Sequence, residues 1–142
     1  MKRVLAVLLA AVLMMSLSGC FGKESSEVQE QVRAMLDCDV TGDTEGAYEL
    51  LYPGVAEKDA FQTEFQSIRE RFPLSEDYRI TLENSNIRTQ VGVPSRLTAS
   101  VRYRVEDSDQ TFYLEAEYLR DGNGSGFTVC RFVDRYNMVG AK

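Results

Sequence analysis

Arg96-Leu97-Thr98-Ala99-Ser100-Val101-Arg102-Tyr103-Arg104-Val105, followed by Phe112-Tyr113-Leu114-Glu115-Ala116-Glu117-Tyr118, carries the clearest structural signal in this chain. In both runs apolar and polar residues alternate, the pattern of a strand with one face in a core and one in water. Leu97, Ala99, Val101, Tyr103 and Val105 point one way, against Arg96, Thr98, Ser100, Arg102 and Arg104. Phe112, Leu114, Ala116 and Tyr118 form the matching set, opposite Tyr113, Glu115 and Glu117. A hairpin turning at Asp107-Ser108-Asp109 keeps both apolar sets on one face. It sets Arg102 and Arg104 near Tyr113, Glu115 and Glu117 on the other, where unlike charges attract.

The alternation extends outward in both directions. Upstream, Tyr78, Ile80 and Leu82 alternate with Arg79, Thr81 and Glu83, and Ile87 to Val91 continues more weakly. Downstream, a last strand runs from about Phe127 to Val133. Its two sets, Thr128, Cys130 and Phe132 against Phe127, Val129, Arg131 and Val133, both contain apolar residues, so its inward face stays open. Gly122-Asn123-Gly124-Ser125-Gly126 lies between two strand patterns with no helix after it, and reads as a hairpin turn rather than a phosphate loop.

Before Tyr78 the period is 3.6. Ser26 with Gln29 has the form of a capping box, and Val28, Val32, Met35 and Leu36 follow at helical spacing to about Asp39. Gly42 is a stop, and Asp43 is an N-cap for a short helix carrying Ala47, Tyr48, Leu50 and Leu51, ended by Pro53-Gly54. A third helix starts near Ala56. Its stripe Phe61, Phe65, Ile68 and Phe72 predicts a core face, and Pro73 closes it.

Three helices followed by a meander predict an α+β domain, N-terminal helices packed on a curved antiparallel sheet of about four strands. Val32-Arg33-Ala34-Met35-Leu36, Thr41-Gly42-Asp43-Thr44-Glu45-Gly46-Ala47-Tyr48-Glu49-Leu50-Leu51 and the segment from Phe61 to Phe72 carry a family likeness. Together they resemble the NTF2-like, cystatin-like cone, in particular small NTF2-like domains of exported Gram-positive proteins. Among these is the domain preceding the catalytic part of some penicillin-binding proteins. The shared pattern, helix–Gly-Asp–helix, implies a fold and no catalytic signature.

The N-terminus adds a location. Lys2 and Arg3 precede an uncharged run from Val4 to Leu17, too short for a comfortable membrane span, and Leu17-Ser18-Gly19-Cys20 follows. This resembles the signal peptide and lipobox of bacterial lipoproteins, which implies cleavage before Cys20 and diacylglyceryl and palmitate chains on it. Residues 1–19 are then the signal peptide, 20–26 the lipidated cysteine and a short tether, 27–137 the domain, and 138–142 a tail. The expected location is the cell membrane, lipid-anchored on the extracytoplasmic face at the cell surface. Two chains hold a domain stably where one is marginal.

Cleavage leaves 123 residues, enough for one core, and removes two of the 16 basic residues, moving the formal charge from −6 to −8. Such acidity argues against nucleic acid, which needs clustered Lys and Arg. It also argues against electrostatic attachment to anionic lipid, leaving the anchor to hold the membrane.

With no histidine, the chain has no Ser-His-Asp triad, Cys-His dyad or His-ligated metal. Asp37, Asp39, Thr41 and Gly42 take the first, third, fifth and sixth positions of a calcium loop. The twelfth is Tyr48 where a bidentate Glu is needed, so the stretch reads as a helix end, a stop and a cap. Every Asp or Glu in the strands points outward, and only Tyr103 and Tyr118 bring polar atoms inward. No catalytic residue, metal ligand or cofactor is therefore expected. Cys38 and Cys130, which remain after lipidation, form a disulfide only if Cys130 faces the first helix, and otherwise stay free thiols. The expected function is a non-catalytic domain binding a protein, peptide or small ligand near the membrane. The alternatives are a small-ligand lyase or isomerase in the cone, using Tyr103 or Tyr118 and an inward carboxylate, and an accessory module of cell-wall synthesis.

Overall fold

A computed structural model of the chain describes residues 23–108 and 110–134. Residues 1–22, which hold Cys20 and the expected signal peptide, Asp109 and residues 135–142 lie outside them. The order is α1 (Lys23–Thr41), α2 (Thr44–Glu49), α3 (Lys58–Arg71), β1 (Arg79–Gln90), β2 (Arg96–Asp107), β3 (Gln110–Asp121) and β4 (Gly124–Asp134). The strands form one open antiparallel sheet in sequence order, curved, with the helices against one face. This is the expected α+β architecture and is consistent with an NTF2-like fold.

The caps follow from local chemistry. Helix α1 begins three residues before Ser26, which lies inside it rather than capping it, and Glu24 sits in the first turn where the helix dipole favours a negative charge. At its other end Gly42, at φ +78°, turns the chain out of the helix, and the amides of Gly42 and Asp43 both donate to the Cys38 carbonyl. Asp43 caps α2 by accepting the Gly46 amide at 2.8 Å. Leu50 is already the C-cap of α2, so Leu51 leaves the helix and bridges to Phe127 of β4. Helix α3 starts after Glu57, with Asp59 in its first turn and Arg69 and Arg71 in its last, the signs the dipole favours.

The core lies between helices and sheet. Val28, Val32, Met35 and Leu36 of α1, Ala47 of α2, and Phe65 and Phe72 around α3 meet the inward residues of β2 and β3, all buried. The Phe72 and Phe112 rings lie 4.9 Å apart and pack against Phe132.

Two bulges correct the simple alternation. In β1, Leu82 pairs with Tyr103 and Asn84 with Arg102, leaving Glu83 as an extra residue. The residues paired with the inward set of β2 thus shift from Ile80 and Leu82 to Ser85 and Ile87. Ile80 and Ile87 pack on the core, whereas Leu82, expected inward, is 42% exposed on this edge strand. In β4, Glu117 pairs with Val129 but Tyr118 with Phe127, leaving Thr128 unmatched. Phe127 can then face the core together with Cys130 and Phe132, so apolar residues of both alternating sets are accommodated.

On the outer face the expected register holds, with Arg104 opposite Tyr113 and Arg102 opposite Glu115. Glu83 of β1 joins the expected neighbours as a partner of both arginines. Arg102 lies over the Tyr113 ring at 4.8 Å, and Glu83 sits between Arg102 and Arg104 at 3.6 and 3.7 Å. Arg104 also pairs with Glu106, and Glu115 with Arg131. The bulge delivers Glu83 to this face, where it meets both arginines.

Candidate functional site

Asp39 stands out as a carboxylate in the core. It sits at helical spacing after Val28, Val32, Met35 and Leu36, and α1 therefore turns it inward with them, 2% exposed. Neither of its side-chain oxygens meets a hydrogen-bond donor among the described residues. Arg69 of α3 reaches the same place but donates its Nε–H to the Asp39 backbone carbonyl at 2.9 Å. Burial pushes the carboxyl up to about 7, against the opposing pull of the Arg69 charge. The helical period of α1 carries this signal, since position 39 continues the buried stripe.

A stability profile should show this. The folded state holds the Asp39 proton to about pH 7, whereas an unfolded aspartate loses it near 3.8. Between those two values the unfolded chain has released a proton that the folded chain still holds. Stability therefore falls as pH rises, by about 2–3 kcal/mol between pH 5 and pH 8, and the fall levels off above about 7. Asp39→Asn should flatten that fall in a urea titration repeated across pH; an unchanged slope would mean Asp39 is solvated. Asp107 and Asp121 act with the opposite sign. The Ser75 amide and hydroxyl hold Asp107 below its ordinary value, and the Asn123 amide and Tyr52 hydroxyl hold Asp121 below its own. Their contribution is lost as pH falls below about 4.

The other candidates fall elsewhere. Asp37 accepts the Tyr78 hydroxyl at 2.6 Å whereas Asp39 is buried, so the two acidic calcium-loop positions face different ways, and Asp43 caps α2. Among the described residues no three His, Cys, Asp or Glu side chains converge as metal ligands. Cys130 pairs with Ala116 and faces the core, and Cys38 packs against the same core from α1. Both are free thiols. Burial pushes Cys130 up to about 12 and Cys38 to about 11, the latter aided by Asp43 and Asp37, and a thiol held neutral is a poor nucleophile. Tyr103 and Tyr118 point inward as expected and are buried, which raises both phenols.

Across the sheet lies an open groove of about 490 Å³. The alternation of β1, β2 and β3 places Asn86, Arg88, Thr98, Ser100 and Glu117 there, with Arg96 at the start of β2 and the bulged Thr128 of β4. Sequence reading treated this face as solvated and did not single it out. Its two arginines, hydroxyls and amide can hold a polar or anionic group, and Glu117 stands opposite Ser100 across the β2–β3 pair.

No protein-family model matches the chain, and no curated protein sequence matches it. Among solved structures the fold is similar to that of Aln2 from a Streptomyces species. The identity is 10%, the alignment covers 84% of this chain and 96% of that one, and the TM-score is 0.54. At that identity the likeness shows the fold alone.

Proposed function

We propose that this chain is a lipid-anchored lipoprotein of the extracytoplasmic membrane face, and that its NTF2-like domain is a non-catalytic module binding a protein, peptide or small ligand. The observation that carries the binding part is the division between the two sheet faces. The inward face is taken up by helices and packed rings, while the outward face offers an open groove lined by Arg88, Arg96, Asn86 and Ser100. The anchor rests on Leu17-Ser18-Gly19-Cys20 behind its apolar run.

Cys20→Ser tests the anchor. The variant should accumulate as an uncleaved or mis-processed precursor that takes up no labelled fatty acid; normal processing and labelling would overturn the reading. A lyase or isomerase is the second reading, favoured by the desolvated Asp39 carboxyl, since a base tuned to about 7 suits proton abstraction. It requires substrate access to Asp39, whereas the groove lies on the other side of the sheet.

A further inference from the structure

We infer that the β1–β2 hairpin tip, Val91 to Pro94, docks on the lipid bilayer beside the anchor. This rests on the lipoprotein reading above. Val91 and Val93 are 98% and 104% exposed, the most exposed of the large apolar residues described. A fully exposed valine packs against nothing in its own domain, so the fold does not account for the pair.

The topology says what they face. Leu97, just past the tip, pairs with Arg120 near the end of β3, and Arg120 is ion-paired to Glu27 in the second turn of α1. The tip and the start of α1 therefore share one end of the domain. Pro94 also packs over Gly122 in the β3–β4 turn, and Tyr52 donates to Asp121 beside that turn. Val55, 42% exposed, follows three residues after Tyr52 at the same end.

Because α1 begins at Lys23, only Phe21 and Gly22 separate it from Cys20. Three peptide steps reach at most about 10 Å. The acyl chains on Cys20 thus enter the bilayer within about 10 Å of the helix start, and this end of the domain must face the lipid. Apolar side chains there meet the interfacial region. Arg96 and Arg88, on the strand ends behind the tip, stand at the level of phosphate groups, which suits headgroups on a domain otherwise acidic. The opposite end, with Ser75, Asp107 and Ser108, faces away.

The chain contains no tryptophan, so a single introduced one reports alone. Full-length Val93→Trp, purified from membranes with its lipid, is reconstituted into phosphatidylcholine–phosphatidylglycerol vesicles with brominated acyl chains. Ser108→Trp, in the β2–β3 turn, serves as the distal control. The Val93→Trp emission should move to the blue and lose about half its intensity, as for a side chain about 5–10 Å into the interface. The control should keep its emission. If both report water, or both are quenched equally, the orientation is wrong. A blue shift in native membranes without quenching by brominated lipid would overturn the proposal in favour of a protein partner. Mass spectrometry of Cys20 separates the two readings. An unlipidated Cys20 overturns the anchor, and this inference with it; a lipidated chain with unquenched Val93→Trp overturns the docking alone.

Discussion

Phe65→Ala destabilises the domain by about 3–5 kcal/mol. Phe65 is 1% exposed, sits centrally in the inward stripe of α3, and stacks on Phe61 at a centroid distance of 5.7 Å. Its ring helps to hold α3 to the core, and neighbours fixed by backbone hydrogen bonds close only part of the space it vacates. Against a total of about 5–15 kcal/mol for a small domain, the loss is large. A urea titration of residues 23–142 measures it, with exposed Gln66→Ala on the same helix expected within about 0.5 kcal/mol of the parent. A Phe65→Ala effect below about 1 kcal/mol would place the α3 stripe against solvent.

Gly126→Ala carries a comparable cost by a different route. Gly126 stands at φ +153°, a conformation side-chain-bearing residues rarely adopt. A methyl group there would overlap the backbone of Leu51 and Tyr52. That backbone cannot step aside freely. Tyr52 donates its amide to the Phe127 carbonyl, and Phe127 donates its own to Leu50, each at 2.9 Å. This stitch joins the end of α2 to β4. Strain and overlap together cost about 3 kcal/mol or more. The same titration should show it, and amide exchange at Tyr52 and Phe127 should accelerate in the variant. Gly54→Ala is the control, with positive φ but open space around it, and should cost less. Equal losses at the two glycines would mean that the conformation matters and the stitch does not.

Much of the fold was legible because alternation and helical period report burial directly. β2 and β3 were readable residue by residue, including the register that sets Arg104 opposite Tyr113. β1 and β4 were harder for one physical reason. A bulge adds a residue and flips every later side chain to the other face, so the pattern fades at Glu83 and conflicts around Thr128. Asp39 was legible in principle, since it follows Leu36 on the buried stripe. Residue type argued against burial, and its position on α1 prevailed.

By itself the sequence determined the α+β class, the order of helices and strands, the glycine stop and aspartate cap around Gly42 and Asp43, and the inward faces of α3, β2 and β3. These follow from local periodicity and local hydrogen bonding, which act over a few residues. Tertiary structure alone decided which oxygens Arg69 and Glu83 meet, that Cys130 faces the core, and that Gly126 must yield to Leu51 and Tyr52. It alone brought Val91 and Val93 to the end where α1 begins. Those outcomes depend on contacts between residues far apart in the chain, whose geometry is set by how curved sheet and helices pack together, and no short window of sequence contains both partners.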